Sequence, residues 1–172
     1  ETRYPVMMSA GGIETRDLVP VSALDAELGF ARSWNSGAGE GAACVKVLES
    51  VRAELNLGAV CNISYSAPAV LGETNVFSLT IQNRGARNLE AGDLKIITTK
   101  QFRPFDMEWK TVEPGGSLLA NGFYSSDDMG KAPWLEVQWT LRDGASELVC
   151  TRMINPRYAE ADLQLFRSRV RR

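Results

Sequence analysis

The sequence predicts an all-β, antiparallel sandwich, and three observations carry that prediction. Apolar and polar residues alternate with a period of two over several segments, as in Phe77, Leu79 and Ile81 against Ser78, Thr80 and Gln82. Turn signals such as Asn83-Arg84-Gly85, Glu113-Pro114-Gly115-Gly116 and Arg142-Asp143-Gly144 separate these segments at short intervals. Nowhere does a strand pattern alternate with long helical ones, so a parallel sheet wrapped by helices is not expected.

In chain order, residues 1–21 show no clean period and contain Gly11-Gly12 and two prolines, which reads as an irregular arm. Ser22 with Asp25 three residues on forms a capping-box pattern. Leu24, Leu28, Ala31 and Trp34 then share one face, which predicts a short helix over 23–33. The glycine-rich run 35–41 reads as a linker; no Gly-Lys-Ser/Thr follows it, so it is not a phosphate loop. From Val45 to Leu57 apolar residues alternate with Lys46, Ser50, Arg52, Glu54 and Asn56. A helix could seat Val45, Leu48, Val51 and Leu55 on one side, but the longer alternation favours a strand.

A second strand is expected over Ala59–Tyr65, meeting the first near Asn56–Gly58. The turn signal Ala91-Gly92-Asp93 precedes a strand at Leu94–Thr99. Leu135, Val137, Trp139 and Leu141 against Glu136, Gln138 and Thr140 form the clearest half-buried strand. The Arg142-Asp143-Gly144 turn then leads into a hairpin partner over Leu148–Ile154. Seven or eight short strands with this spacing predict an immunoglobulin-like antiparallel β-sandwich. Phe77, Leu79, Ile81, Leu135, Val137 and Trp139 are expected to face inward. Asn155-Pro156 opens a C-terminal helix, with Pro near its first position, and a basic tail ends the chain. The domain reading is an arm with a short helix over 1–41, a sandwich over 42–155, and the helix and tail over 156–172.

Composition narrows function. The chain has 172 residues, of which 44% are apolar and 23% charged, as in an ordinary globular domain. It begins at Glu1, as a processed protein or a piece of a longer one does. A net charge of −2 gives no basic face for nucleic acid. There is no histidine, which removes the usual general base and the commonest metal ligand together. Asp127-Asp128 reads as part of a turn, and no other catalytic, metal or cofactor motif is present. The chain is therefore expected to be non-catalytic, with no cofactor. Three cysteines, Cys44, Cys61 and Cys150, form no C-x-x-C pair. An oxidising compartment would allow one bridge and one free thiol, whereas a reducing one would leave three small buried hydrophobes. The reading favours the cytoplasm, with Cys61 buried and reduced.

One segment, 100–110, mixes aromatic and cationic residues. Phe102, Phe105 and Trp109 with Arg103 and Lys110 could grip a peptide that carries aromatic or acidic residues. Each aromatic taken singly also suits a core position beside the Pro104 turn.

Several motifs occur in an order similar to that of the clathrin-adaptor appendages, the alpha-adaptin ear above all. They are Leu55-Asn56-Leu57-Gly58, Val76–Asn83, Pro114-Gly115-Gly116, Ala132–Trp139 and Met153-Ile154-Asn155-Pro156. The match spans about residues 45–166, without the platform subdomain that follows in ears. The resemblance implies a sandwich that recruits short peptide motifs of accessory proteins in vesicle trafficking, peripheral to membranes through its partners. The other expectations are an extracytoplasmic immunoglobulin-like module that binds a partner subunit, and a structural subunit of a larger assembly.

Overall fold

The computed structural model describes residues 2–7, 13–19, 29, 32, 39–65, 74–97, 102–104, 108–125 and 135–154. Strands β1 (Thr2–Met7) and β2 (Ile13–Val19) form an antiparallel hairpin in which Tyr4 faces Arg16 and Met7 faces Ile13. The arm expected to be irregular thus carries a two-stranded sheet, with Gly11-Gly12 lying between its strands. Of the helix expected over 23–33, only Gly29 and Arg32 fall within the described residues, and both are helical.

The main correction lies next. Residues Gly39–Asn56 form one α-helix, α1, where a glycine linker and an alternating strand were expected. Its inward side is Val47, Leu48, Ser50, Val51 and Glu54, all buried. That spacing of three and four is helical, but two of the five residues are polar, so the apolar period alone does not display it. A tight turn follows, in which Gly58 takes φ 77° and packs against Gly85. A Cβ on Gly58 would lie 2.7 Å from the Gly85 backbone, so both the φ and the space require glycine.

The remaining elements are strands, paired antiparallel. They are β3 (Ala59–Tyr65), β4 (Asn75–Asn83), β5 (Leu89–Ile97), β6 (Phe102–Pro104), β7 (Lys110–Val112), β8 (Ser117–Tyr124), β9 (Leu135–Asp143) and β10 (Ser146–Ile154). One sheet runs β3-β4-β8 and another β10-β9-β5, with β6 and β7 sharing the far side of β5. The expected C-terminal helix, 156–172, lies outside the described residues.

Both sheets contribute to one apolar core. Phe77, Leu79 and Ile81 of β4 and Leu135, Val137 and Trp139 of β9 all face into it, as their alternation requires. Burying each such side chain contributes about 1.5–3 kcal/mol, which fixes the register of its strand. In β5 the inward residues change parity, from Leu89 and Ala91 to Leu94 and Ile96. The cause is a bulge: the pairing with β9 shifts between Gly92 and Lys95, and Asp93 takes φ 57°. Ala91-Gly92-Asp93, expected to be a turn before the strand, is thus an irregularity inside it. At the β9–β10 hairpin Asp143 pairs with Ser146, and Gly144 supplies the positive φ its first turn position requires.

Candidate protein-binding surface

The aromatic and basic segment singled out in the sequence is placed along β5. Phe102 and Arg103 lie on β6, opposite Ile97 and Ile96, and Lys110 lies on β7, opposite Ala91. Only the backbone of β6 is described, and Phe105 lies outside the described residues. Lys110 is exposed and Trp109 is 39% exposed. The Trp109 ring is covered from two sides. It lies against Gly92, where a Cβ would sit 2.5 Å from the ring, and the Arg142 guanidinium stacks 3.7 Å from its centroid. Arg142 is itself oriented by Glu147, 2.8 Å from Nε to Oε2. The arrangement clamps the β5 bulge to β9 by a cation–π contact, and it leaves the faces of this ring occupied.

A second group of polar residues lies between α1 and the sandwich. Glu54 accepts both guanidinium nitrogens of Arg152, at 2.8 and 2.6 Å, and also the Ser50 hydroxyl at 2.8 Å. Arg152 donates further to the carbonyls of Thr151 and Cys61 and lies over the Trp139 ring. Burial disfavours the Arg152 charge, but the Glu54 carboxylate outweighs it and holds the guanidinium protonated. Nε of Arg152 and Nε1 of Trp139 have no hydrogen-bond partner. Cys61 and Cys150 are buried free thiols beside this pair, and burial pushes both well above the ordinary thiol range, with the Glu54 carboxylate adding to it. Such thiols are poor nucleophiles. The cluster anchors the helix and is closed to solvent.

The ends of the sheets differ from one another. At β10, the Thr151 N–H that would face solvent donates instead to Ser50 Oγ on α1, at 2.9 Å. Lys46 of α1 is also paired with Glu136 on β9. At β3, α1 and the backbone of β1 run alongside. The far side of β5 carries β6 and β7, each three residues long, with Pro104 in one and Lys110 in the other. Short strands, Pro and Lys are devices that discourage a further strand from adding.

β8 has none of these devices. It is eight residues long, carries no charged residue, and ends its sheet among the described residues. Its inner side is fixed by Gly122, where a Cβ would lie 2.2 Å from the Phe77 ring, and by Tyr124, stacked on Phe77. On its outer side Leu119 is 63% and Phe123 49% exposed, and Val76, paired with Phe123 across β4, is 46% exposed. Asn121 between them accepts a hydrogen bond from Ser78, 2.8 Å away. The Asn83 N–H bonds the Gly116 carbonyl, which sets the alternation along the β4–β8 ladder. By that alternation the N–H and C=O groups of Ser117, Leu119 and Asn121 point away from β4. Sequence reasoning missed this surface because β8 lacks a strict alternation: Leu118-Leu119-Ala120 puts apolar residues on both faces.

No family model matches the chain, and no curated protein matches it. Among solved structures the chain is similar to the FixG-related protein from Vibrio parahaemolyticus, at 14% identity and a TM-score of 0.41, over 59% of this chain and 98% of that one. It is also similar to beta-glucuronidase 2 from Bacteroides uniformis, at 17% identity and a TM-score of 0.37, over 57% of this chain and 13% of that one. A third likeness is to beta-glucosidase from Kluyveromyces marxianus, at 12% identity and a TM-score of 0.28, over 56% and 14% of the two chains. At these TM-scores the likenesses carry no argument about function.

Proposed function

We propose that the chain is a non-catalytic, protein-binding module of immunoglobulin-like topology that takes its partner as an added strand along β8. The observation that carries this reading is the contrast among sheet ends. The ends at β10, β3 and β5 are capped, accompanied or blunted, whereas β8 presents outward backbone groups beside exposed Leu119, Phe123 and Val76. Strand addition draws affinity from main-chain hydrogen bonds and specificity from alternate side chains, and β8 offers both. The orders β3-β4-β8 and β10-β9-β5 are those of a sandwich whose first, second and fifth strands face its third, sixth and seventh, which supports the immunoglobulin-like reading. The proposal keeps the appendage-like expectation of recruiting short segments of other proteins and moves the site from Phe102–Lys110 to β8. The reason is that the Trp109 faces are taken by Gly92 and Arg142.

The test is selection of short random peptides displayed on phage, with Leu119→Lys as the counter-selection. The expected peptides are uncharged and extended, perturb the amide signals of residues 117–123, and lose binding to Leu119→Lys. Peptides bearing aromatic and acidic residues that perturb Trp109 and Lys110 instead would overturn the choice of site and restore the first one.

A further inference from the structure

We infer that a second copy of this chain can occupy the β8 edge, forming a two-fold dimer with its axis at Asn121. The inference rests on the proposed strand-addition surface and names its partner. Two features of β8 point to self-pairing. The first is the absence of charge: Ser117–Tyr124 contains no Asp, Glu, Lys or Arg, so identical strands meet without like-charge repulsion. The second is the symmetry of its outward side chains. Leu119 and Phe123 flank Asn121 at equal spacing, and all three lie on the outer face.

An antiparallel partner related by a two-fold axis at Asn121 places Leu119 of one copy opposite Phe123 of the other, twice, with the two Asn121 residues opposite each other. All these residues share the outer face, so the pairing preserves the inward side of both sheets. It also brings together the residues whose N–H and C=O groups point away from β4. The two three-stranded sheets then become one continuous sheet, and each Leu119 meets an aromatic ring across the junction.

Sedimentation equilibrium from micromolar to submillimolar concentration tests the inference on the whole chain. The wild type is expected to show a reversible monomer–dimer equilibrium. Leu119→Lys changes an exposed side chain and leaves the fold intact, but weakens the dimer at least about tenfold. The double variant Leu119→Lys, Phe123→Glu regains the dimer, because the new charges face each other across the axis. Asn121→Cys forms an intermolecular disulfide with oxidised glutathione, two thiols giving one disulfide and two molecules of glutathione. A wild type that is monomeric throughout, or a dimer that Leu119→Lys leaves unchanged, overturns the inference. If such a monomer still binds the selected peptides along β8, only the second copy is excluded. If it binds none there, the strand-addition reading fails as well.

Discussion

At the scale of single residues, the Glu54–Arg152 pair decides whether α1 stays seated. Both side chains are almost fully buried, at 1% and 3% exposed, so water offers neither charge a substitute partner. Attraction inside such a pair roughly offsets the cost of desolvating it, but removing one member strands the other. Glu54→Ala is therefore expected to destabilise the protein by about 3–5 kcal/mol in urea unfolding. The paired change Glu54→Leu, Arg152→Met should cost little or raise stability. If the single and double variants prove equally unstable, the helix is held by its apolar residues and the ion pair is incidental.

Glu136 supplies a pH dependence at the same scale. Partial burial raises its pKa, but hydrogen bonds from Lys46, Gln138 and Thr151 and the Lys46 charge outweigh that and hold it below the ordinary carboxylate range. The unfolded chain then binds this proton more readily than the folded one. The contribution is present above the ordinary carboxylate pKa and is lost as pH falls through the lower folded value. Glu136→Gln should flatten the fall in stability on acidification below about pH 4.3. An unchanged slope in that range would remove Glu136 from the account.

At the scale of elements, close packing explains which parts were legible in the sequence. The strands β4, β9 and β10 follow their alternation because one face of each meets the core. Helix α1 was hidden because its buried face includes Ser50 and Glu54, whose burial is tolerable only with partners on other strands, Thr151 and Arg152. No local pattern contains that pairing, made across about a hundred residues of sequence. The bulge at Gly92–Asp93 was visible as a turn signal but not as a bulge, since pairing with β9 distinguishes the two. The candidate surface was illegible for a related reason: which strand ends a sheet is a property of the order of all strands.

Gly122 tests the packing directly. Gly122→Ala would push the Phe77 ring, and overpacking of this kind costs about 1–3 kcal/mol. Gly92→Ala meets a half-exposed ring, so it should shift Trp109 fluorescence and lower stability less. Equal losses for the two glycines would mean that the Phe77–Gly122 contact is looser than the 2.2 Å clearance implies.

At the scale of the molecule, the two sheets share a core while their ends are treated unequally. α1 does two things at once: it adds apolar area through Val47, Leu48 and Val51, and it satisfies the β10 edge through Ser50. Ser50→Ala leaves the Thr151 N–H unsatisfied, a loss of about 1–3 kcal/mol, and should speed hydrogen exchange at that amide above all others in β10. Strand addition then has one open end to use, β8, among the described residues. Amide hydrogen exchange in dilute protein, followed residue by residue by NMR, measures this openness. The account predicts fast exchange at Leu119 and Asn121, slow exchange at Leu118, Ala120 and Thr151, and protection of the first two when a strand adds. Leu119 and Asn121 amides as protected as Ala120 in dilute monomer would show that β8 is already covered and would contradict the account.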